Sequence, residues 1–459
     1  MCRSLTCRLI LFLTICALAL AACGAPATET PAEPTRAPQP TQPLPTAPPP
    51  SPTVMPPTET AAPADTATPA ATEPSTVSPT TAPAANPIAH LSAGTVLTIT
   101  RLHMSDATHG WAIGGPLNIG DHILRTGDGG KTWSDVTPPE SVSAPEMPNN
   151  ATGYFMDDHT AWVTYGNFNG GETSASVWRT ADGGATWQGS TLLNWTDAGD
   201  YFDATDIQFL DAQTGFVFAH LGVGMMHDYV SLYRTSDGGV NWERIVDPLL
   251  DNLTMSCDKT GIVFADANTG LVTGDCHAVA PGVFLQATKD GGATWTTPEL
   301  ASPTDKPDLF TDQNIGCGTY NPALFAQSGA LVVRCSFFTA NPIRAESYLY
   351  TTADGGQTWT LSATPLPMAS TSVTFLDAKL GWAQGTLDSN NPTAPLDLYQ
   401  TTDGGATWTK VGTATWSGIF NFINDQTGWA VAQASDALAL VVTTNGGQKW
   451  SLLKPQIAP

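Results

Sequence analysis

The sequence predicts an all-β protein: a seven-bladed β-propeller of four-stranded antiparallel blades, preceded by a disordered linker. Three observations predict it. A turn pattern ending in tryptophan recurs seven times, a second strand-turn-strand pattern recurs upstream of most copies, and proline is concentrated in a region the repeats avoid. Self-similarity at a period near 50 residues marks a propeller or solenoid, and here every unit reads as strands.

Residues 1–22 read as an export signal. Arg3 and Arg8 form a short positive region, and Leu9 to Leu20 is an apolar run. That run is shorter than the roughly 20 residues needed to span a bilayer. It ends in Leu20-Ala21-Ala22-Cys23-Gly24, which resembles the lipobox of bacterial lipoproteins. The resemblance implies cleavage before Cys23, lipidation of Cys23, and a membrane-anchored domain in the extracytoplasmic envelope, at the cell surface or in the periplasm. The competing reading is an ordinary secretory signal with an incidental cysteine.

Residues 23–87 form the linker. They hold 19 of the 37 prolines, no aromatic residue, and only Glu29, Glu33, Arg36, Glu59, Asp65 and Glu73 as charges. Such a segment buries too little apolar surface to offset its ordering entropy and is expected to stay disordered with polyproline II character. At about 3.1 Å per residue its reach is on the order of 100 Å or more.

Residues 88–459 carry the repeats. Their turns pair Asp128 with Trp133, Asp182 with Trp187, Asp237 with Trp242, Asp290 with Trp295, Asp354 with Trp359, Asp403 with Trp408, and Asn445 with Trp450. Two glycines follow each Asp or Asn and permit left-handed turn conformations, while the carboxylate accepts backbone N–H groups across the turn. The indole then packs on a neighbouring sheet. The pattern resembles the Asp-box, the bacterial neuraminidase repeat, in its Thr-x-Asp-Gly-Gly-x-Thr-Trp form. That resemblance implies architecture and no particular activity.

The upstream pattern runs Leu102 to Gly114, Ile207 to Phe218, Ile262 to Gly274, Val373 to Gly385 and Phe420 to Val431, each a strand, an Asp-centred turn and a strand. A degenerate copy spans Gly153 to Val163, and the fifth repeat does not align. Together the two patterns resemble the photosystem II stability/assembly factor family and its relatives, which implies a scaffolding or assembly role. The last tryptophan lies close to the C-terminus and leaves room for one strand only, so the closure of the ring is open.

In an up-and-down meander the Asp-centred turns and the Asp-boxes emerge on one face. The opposite face carries long, unlike loops, including 167–176, 220–229, 275–281, 336–347 and 387–395. Recognition belongs there, around the mouth of the central channel.

Cys257, Cys276, Cys317 and Cys335 flank two hairpins, so the pairs Cys257–Cys276 and Cys317–Cys335 are expected, in keeping with an oxidising compartment. A zinc site is the alternative, although no Cys-x-x-Cys is present. A sialidase needs three converging arginines. Arg125, Arg179 and Arg234 instead occupy one repeated position and are expected to point to strand faces. Met225 to Asp228 could hold a soft metal, and Tyr165 to Gly171 could stack on a sugar, but both read more simply as mobile loops. No catalytic residue, metal or cofactor is assigned.

The chain has a net charge of −23 and only 13% charged residues, against about 25% in average domains. Nucleic-acid binding is therefore excluded for want of a basic surface. The expected function is that of a monomeric, surface-anchored binding or scaffolding module for a protein or glycan. The alternative is a glycoside hydrolase using a pair of carboxylates.

Overall fold

A computed structural model describes residues 87–459 apart from 119, 141–149, 167–173, 196–200, 225–226, 248–252, 254–256, 277–281, 342, 363–365, 387–393 and 436. The export signal, Cys23 and the linker up to residue 86 lie outside the described residues. All the described residues belong to one unit, Ser75–Pro459.

The fold is an all-β propeller of consecutive antiparallel sheets, with one short 3-10 turn at Pro116–Asn118 as its helical element among the described residues. The first sheet orders Thr98–Met104, Gly110–Gly115, His122–Thr126 and Thr132–Asp135, and the second Asn150–Phe155, Ala161–Gly166, Val177–Thr180 and Gln188–Gly189. The third follows with Asp203–Phe209, Gly215–Gly224, His227–Thr235 and Glu243–Arg244. In the fourth, Asp258–Phe264, Gly270–Asp275 and Phe284–Thr288 are completed only by a bridge from Ala287 to Thr296. Ile315–Phe325, Ser328–Phe337, Arg344–Thr352 and Thr360–Leu361 form the fifth, joined to the fourth by one pair, Asp275 with Gly318. Ala369–Phe375 to Thr409–Ala414 and Ser417–Phe422 to Ser451–Leu452 give the last two sheets.

The repeated turns explain why these strands form. Asp128 Oδ1 accepts the Thr132 N–H at 2.9 Å, and its other oxygen accepts the Thr132 hydroxyl at 2.8 Å. The buried Thr126 hydroxyl donates to Asp128 and accepts the Gly130 N–H at 3.0 Å. The glycine pairs have φ between 70° and 97° in every copy, where a side chain would be strained. The first glycine N–H of each turn also reaches the hairpin turn of its own sheet, from Gly129 to Thr108 O at 2.8 Å through to Gly446 to Gln426 O at 2.8 Å. This bond fixes both short turns at one end of each sheet.

Two repeats differ from expectation. In the fifth, a tight turn at Ala326 and Gln327, with Ala326 at φ 55°, replaces the Asp-centred turn, yet the Gly355 N–H still finds Gln327 O at 2.8 Å. In the last, Asn424 rather than Asp425 accepts the Gln426 and Thr427 N–H groups, because the capping position is the first residue of that pair.

The cores lie between sheets. Trp111, Phe155, Val163 and Trp178 join the first two, while Trp162 and Phe209 stack with centroids 3.6 Å apart between the second and third. Phe216 and Phe264 pack the third on the fourth, and Trp382 and Phe422 the sixth on the seventh. The last sheet also meets the first: Trp133, Ile99, Trp429 and Leu440 share a cluster, Trp429 Nε1 donates to Gly129 O at 3.0 Å, and Met104 N to Asn421 Oδ1 at 2.7 Å. Beyond the seventh sheet, Gln456–Ile457 pairs in parallel with Thr132–Asp135 as a fifth strand of the first sheet.

The arginines do not simply face outward from their strands. Each reaches the glycine turn of the next sheet: Arg179 Nη1 contacts Gly238 O at 3.4 Å, and Cβ atoms added at Gly183 or Gly291 would lie 2.2 Å and 2.9 Å from Arg125 and Arg234 Nη1. They clasp neighbours and do not converge.

Candidate channel-mouth site

Side chains on the first strands of the sheets reach across to other sheets. Arg101 of the first sheet reaches Thr205 O of the third at 3.5 Å, and the Thr260 hydroxyl of the fourth donates to Thr319 O of the fifth at 2.7 Å. These strands carry β-bulges, between Ile99 and Arg101, Ala204 and Asp206, and Lys259 and Gly261. A bulge breaks the two-residue alternation and re-aims the side chains that follow it. Here those include Arg101 and Asp206, polar residues on strands otherwise packed in the core. Beside them a groove of about 510 Å³ is lined by Thr100, Ser372, Thr374, Ser417, Ile419 and Gln433.

A polar cluster sits where the third and fourth sheets end on the long-loop face. Asp203 opposes His220 in the strand register. His220 Nδ1 lies 2.8 Å from Asp228 Oδ1, and the Lys259 N–H donates to Asp228 Oδ2 at 2.8 Å. Lys259 Nζ turns back to Asp228 O at 3.2 Å and Cys257 O at 3.0 Å, with its charge over the Phe284 ring. Burial lowers the Lys259 pKa to about 8, against the pull of Asp228 and Asp258. Burial likewise raises Asp203 and Asp206, opposed for both by Arg101 and His220 and for Asp206 also by the Thr205 hydroxyl. No basic group lies within 4 Å of either carboxyl among the described residues. Two half-buried carboxyls without an ion-pair partner, beside an oriented imidazole, are a feature of functional clefts.

The same face carries exposed apolar side chains on its loop tips: Leu117 is 89% exposed, Val223 70%, Phe338 45% and Ile343 52%. These tips come from the first, third and fifth sheets.

A second buried network lies between the first two sheets. His122 Nδ1 lies 2.8 Å from Asp135 Oδ2, its Nε2 lies 3.6 Å from Asp121 Oδ1, and Trp178 Nε1 donates to Glu140 Oε2 at 2.7 Å. The Tyr165 hydroxyl and Asp121 Oδ1 are buried there without a hydrogen-bond partner. On the short-turn face Asp106, His109 and Asp158 converge, but Asp106 already spends Oδ1 on the Thr108 and His109 N–H groups.

Of the residues singled out from sequence, the four cysteines pair as expected, with Cα–Cα distances of 4.2 Å for Cys257–Cys276 and 4.1 Å for Cys317–Cys335. Of the segment Met225 to Asp228, His227 and Asp228 lie on a strand, with Gly224 opposite His227 and Asp228 buried. Met225 and Met226 lie outside the described residues. Tyr165 is 4% exposed within a strand, which removes it as a stacking platform. Arg101, Asp203, Asp206, His220 and Lys259 were not marked by any motif. Their one sequence signal is polarity at positions where the repeat calls for inner-strand residues.

No family model matches the chain. A xyloglucanase from Paenibacillus sp is 27% identical over 256 residues, covering 52% of this chain and 23% of its own, so this chain matches about a quarter of that relative's length. Among solved structures, YCF48 bound to D1 peptide has a TM-score of 0.47 and 16% identity, over 79% of this chain and 99% of its own. The GH74 xyloglucanase from Xanthomonas campestris has a TM-score of 0.47 and 12% identity, over 80% and 55%.

Proposed function

We propose that the protein is a surface-displayed binding module that engages a protein partner through the long-loop face. In this reading Cys23 carries the lipid anchor in the cell envelope, and residues 23–87 are the tether. Residues 88–459 are a monomeric propeller of seven Asp-box blades, its ring closed by Gln456–Ile457. The observation that carries the binding role is the exposure of Leu117, Val223, Phe338 and Ile343 on the long-loop face. Exposed apolar side chains gathered on one face suit a protein interface. Replacing Val223, Phe338 and Ile343 by serine should abolish capture of the partner, identified by cross-linking in the native envelope, while leaving thermal stability within about 0.5 kcal/mol. Capture unchanged by the triple substitution would refute the reading.

The second reading is a glycoside hydrolase. It is favoured by the 27% identity to a xyloglucanase and by two half-buried carboxyls, Asp203 and Asp206, on one strand, as a propeller glycosidase requires two. Release of reducing ends from xyloglucan by the full chain, lost in Asp203→Asn or Asp206→Asn, would favour it over the binding role.

A further inference from the structure

We propose that the cavity between the fifth and sixth sheets, on the short-turn face, binds the guanidinium group of an arginine carried by a ligand. The inference stands apart from the long-loop reading, because it concerns the opposite face. One cross-strand pair in each sheet carries it. At one equivalent position the second strand pairs with the third as Trp111 with Arg125, Trp162 with Arg179, and Phe216 with Arg234. Leu271 with Ala287, Trp382 with Gln400 and Trp429 with Val442 continue the series. In the fifth sheet the pair is Ala330 with Thr351. Every other pair includes at least one large side chain, and here both are small.

These pairs meet the first glycine of the next sheet's turn. Trp162 Nε1 donates to Gly238 O at 2.8 Å, joined by Arg179 Nη1 at 3.4 Å, and Trp429 Nε1 donates to Gly129 O at 3.0 Å. The Arg125 guanidinium also lies over the Trp111 ring, 5.4 Å from its centroid. Gly404 is the matching glycine of the sixth sheet. No donor reaches its carbonyl oxygen among the described residues. A Cβ built on Gly404 would meet only Ala378 among them, whereas on Gly238 or Gly291 it would also meet an arginine Nη1, at 3.0 Å and 2.9 Å. The small pair leaves a cavity of about 340 Å³ lined by Ala330, Thr351, Ala378, Asp403 and Gly404.

The chemistry of the lining selects the ligand. Thr351, Thr360 and Ser362 bring hydroxyls from the fifth sheet, and Asp403 brings a carboxylate from the sixth. Hydrogen bonds from Thr407 and Thr401 hold the Asp403 carboxyl at a pKa of about 2, so it is charged at neutral pH. No lysine or arginine is among the lining residues. An arginine presents five donors in one plane and suits the turn carbonyl that Arg179 uses between the second and third sheets. An ammonium is a compact, strongly hydrated point charge and lacks that planar fork. The net charge of −23 draws cations from a distance.

The test titrates the full chain calorimetrically with N-acetyl-argininamide, N-acetyl-lysinamide and N-acetyl-tryptophanamide, and follows the amide resonances of Thr351 and Gly404 by NMR. The arginine form should bind roughly tenfold or more tightly than the other two and should move both resonances. Thr351→Arg supplies the guanidinium from within the chain. It should weaken binding by roughly tenfold or more, with the melting temperature unchanged or raised. Thr351→Gln repeats the residue found at Gln400, should weaken binding a few-fold, and serves where the arginine variant does not fold. Free arginine, run beside the capped form, separates the two sources of the group. Preference for the capped form assigns a polypeptide ligand and preference for free arginine an amino acid, and either supports the guanidinium site. Equal binding of the arginine and lysine forms, tighter binding of the tryptophan form, or undiminished binding by a folded Thr351→Arg or Thr351→Gln chain would each overturn the proposal. So would the absence of saturable binding by any form of arginine.

Discussion

At the residue scale, one carboxylate organises each repeated turn, and the last copy shows how much of that work needs charge. Asn445 accepts the Thr443 hydroxyl at 2.9 Å and the Lys449 N–H at 3.0 Å, as the aspartates do. What it lacks is the second charged oxygen, which in Asp403 accepts the Thr407 hydroxyl at 2.6 Å. Asp403→Asn should therefore cost little and Asp403→Ala about 1 kcal/mol, read from urea midpoints. Side-chain and backbone donors lower Asp182, Asp354 and Asp403 to about 2. A depressed carboxyl contributes stability above its unfolded value that is lost as pH falls through the folded one, so the melting temperature should drop between about pH 4 and 2. Asp403→Asn should flatten part of that drop. Lys259 acts in the opposite window. With its folded pKa near 8 against an ordinary lysine value of 10.5, the unfolded chain binds more protons between those values. Stability should rise with pH from about 8 until the tyrosines ionise near pH 10, and Lys259→Met should remove the rise. Tyr165→Phe removes a buried, unpartnered hydroxyl and should leave stability unchanged or raised by up to about 1 kcal/mol.

At the element scale, the two disulfides fasten equivalent hairpins in unlike surroundings. Cys317 and Cys335 are 4% and 0% exposed, whereas Cys257 and Cys276 are half-buried beside the site. A mild thiol reductant should open Cys257–Cys276 first, read by differential alkylation and mass spectrometry, because exchange requires access to a sulfur. Most elements were legible in the sequence, since a turn that needs two left-handed residues and an acceptor must spell Asp-Gly-Gly locally. The hairpin of the fifth repeat was not, because Ala326 takes the left-handed position without any residue that advertises it. The arginine clasps were legible as repetition but not as contacts. Nothing within a strand tells which neighbour its side chain will meet.

At the scale of the whole molecule, the channel mouth could not be read in advance. Asp203, Asp206 and His220 come from one sheet, Arg101 from another and Lys259 from a third, and bulges that depend on partner strands aim two of them. The face that holds them was legible, because the alternation of short and long loops follows from the meander alone. The integrity of the whole rests on contacts between its two ends. Removing residues 454–459 exposes Trp133 and Ile457's partners in the cluster shared by the first and last sheets. Amide exchange should then accelerate in both of those sheets, with the middle sheets less affected.

The pairing of Gln456–Ile457 with Thr132–Asp135 also bears on biogenesis. Bonds such as Trp429 to Gly129 span 300 residues, and Met104 to Asn421 spans 317. During synthesis the first sheet therefore waits for the last part of the chain before its outer strand and its tryptophan find their partners. Contacts of such sequence separation form late and slowly. Residues 421–457 must therefore be in place before the first sheet gains its full set of partners.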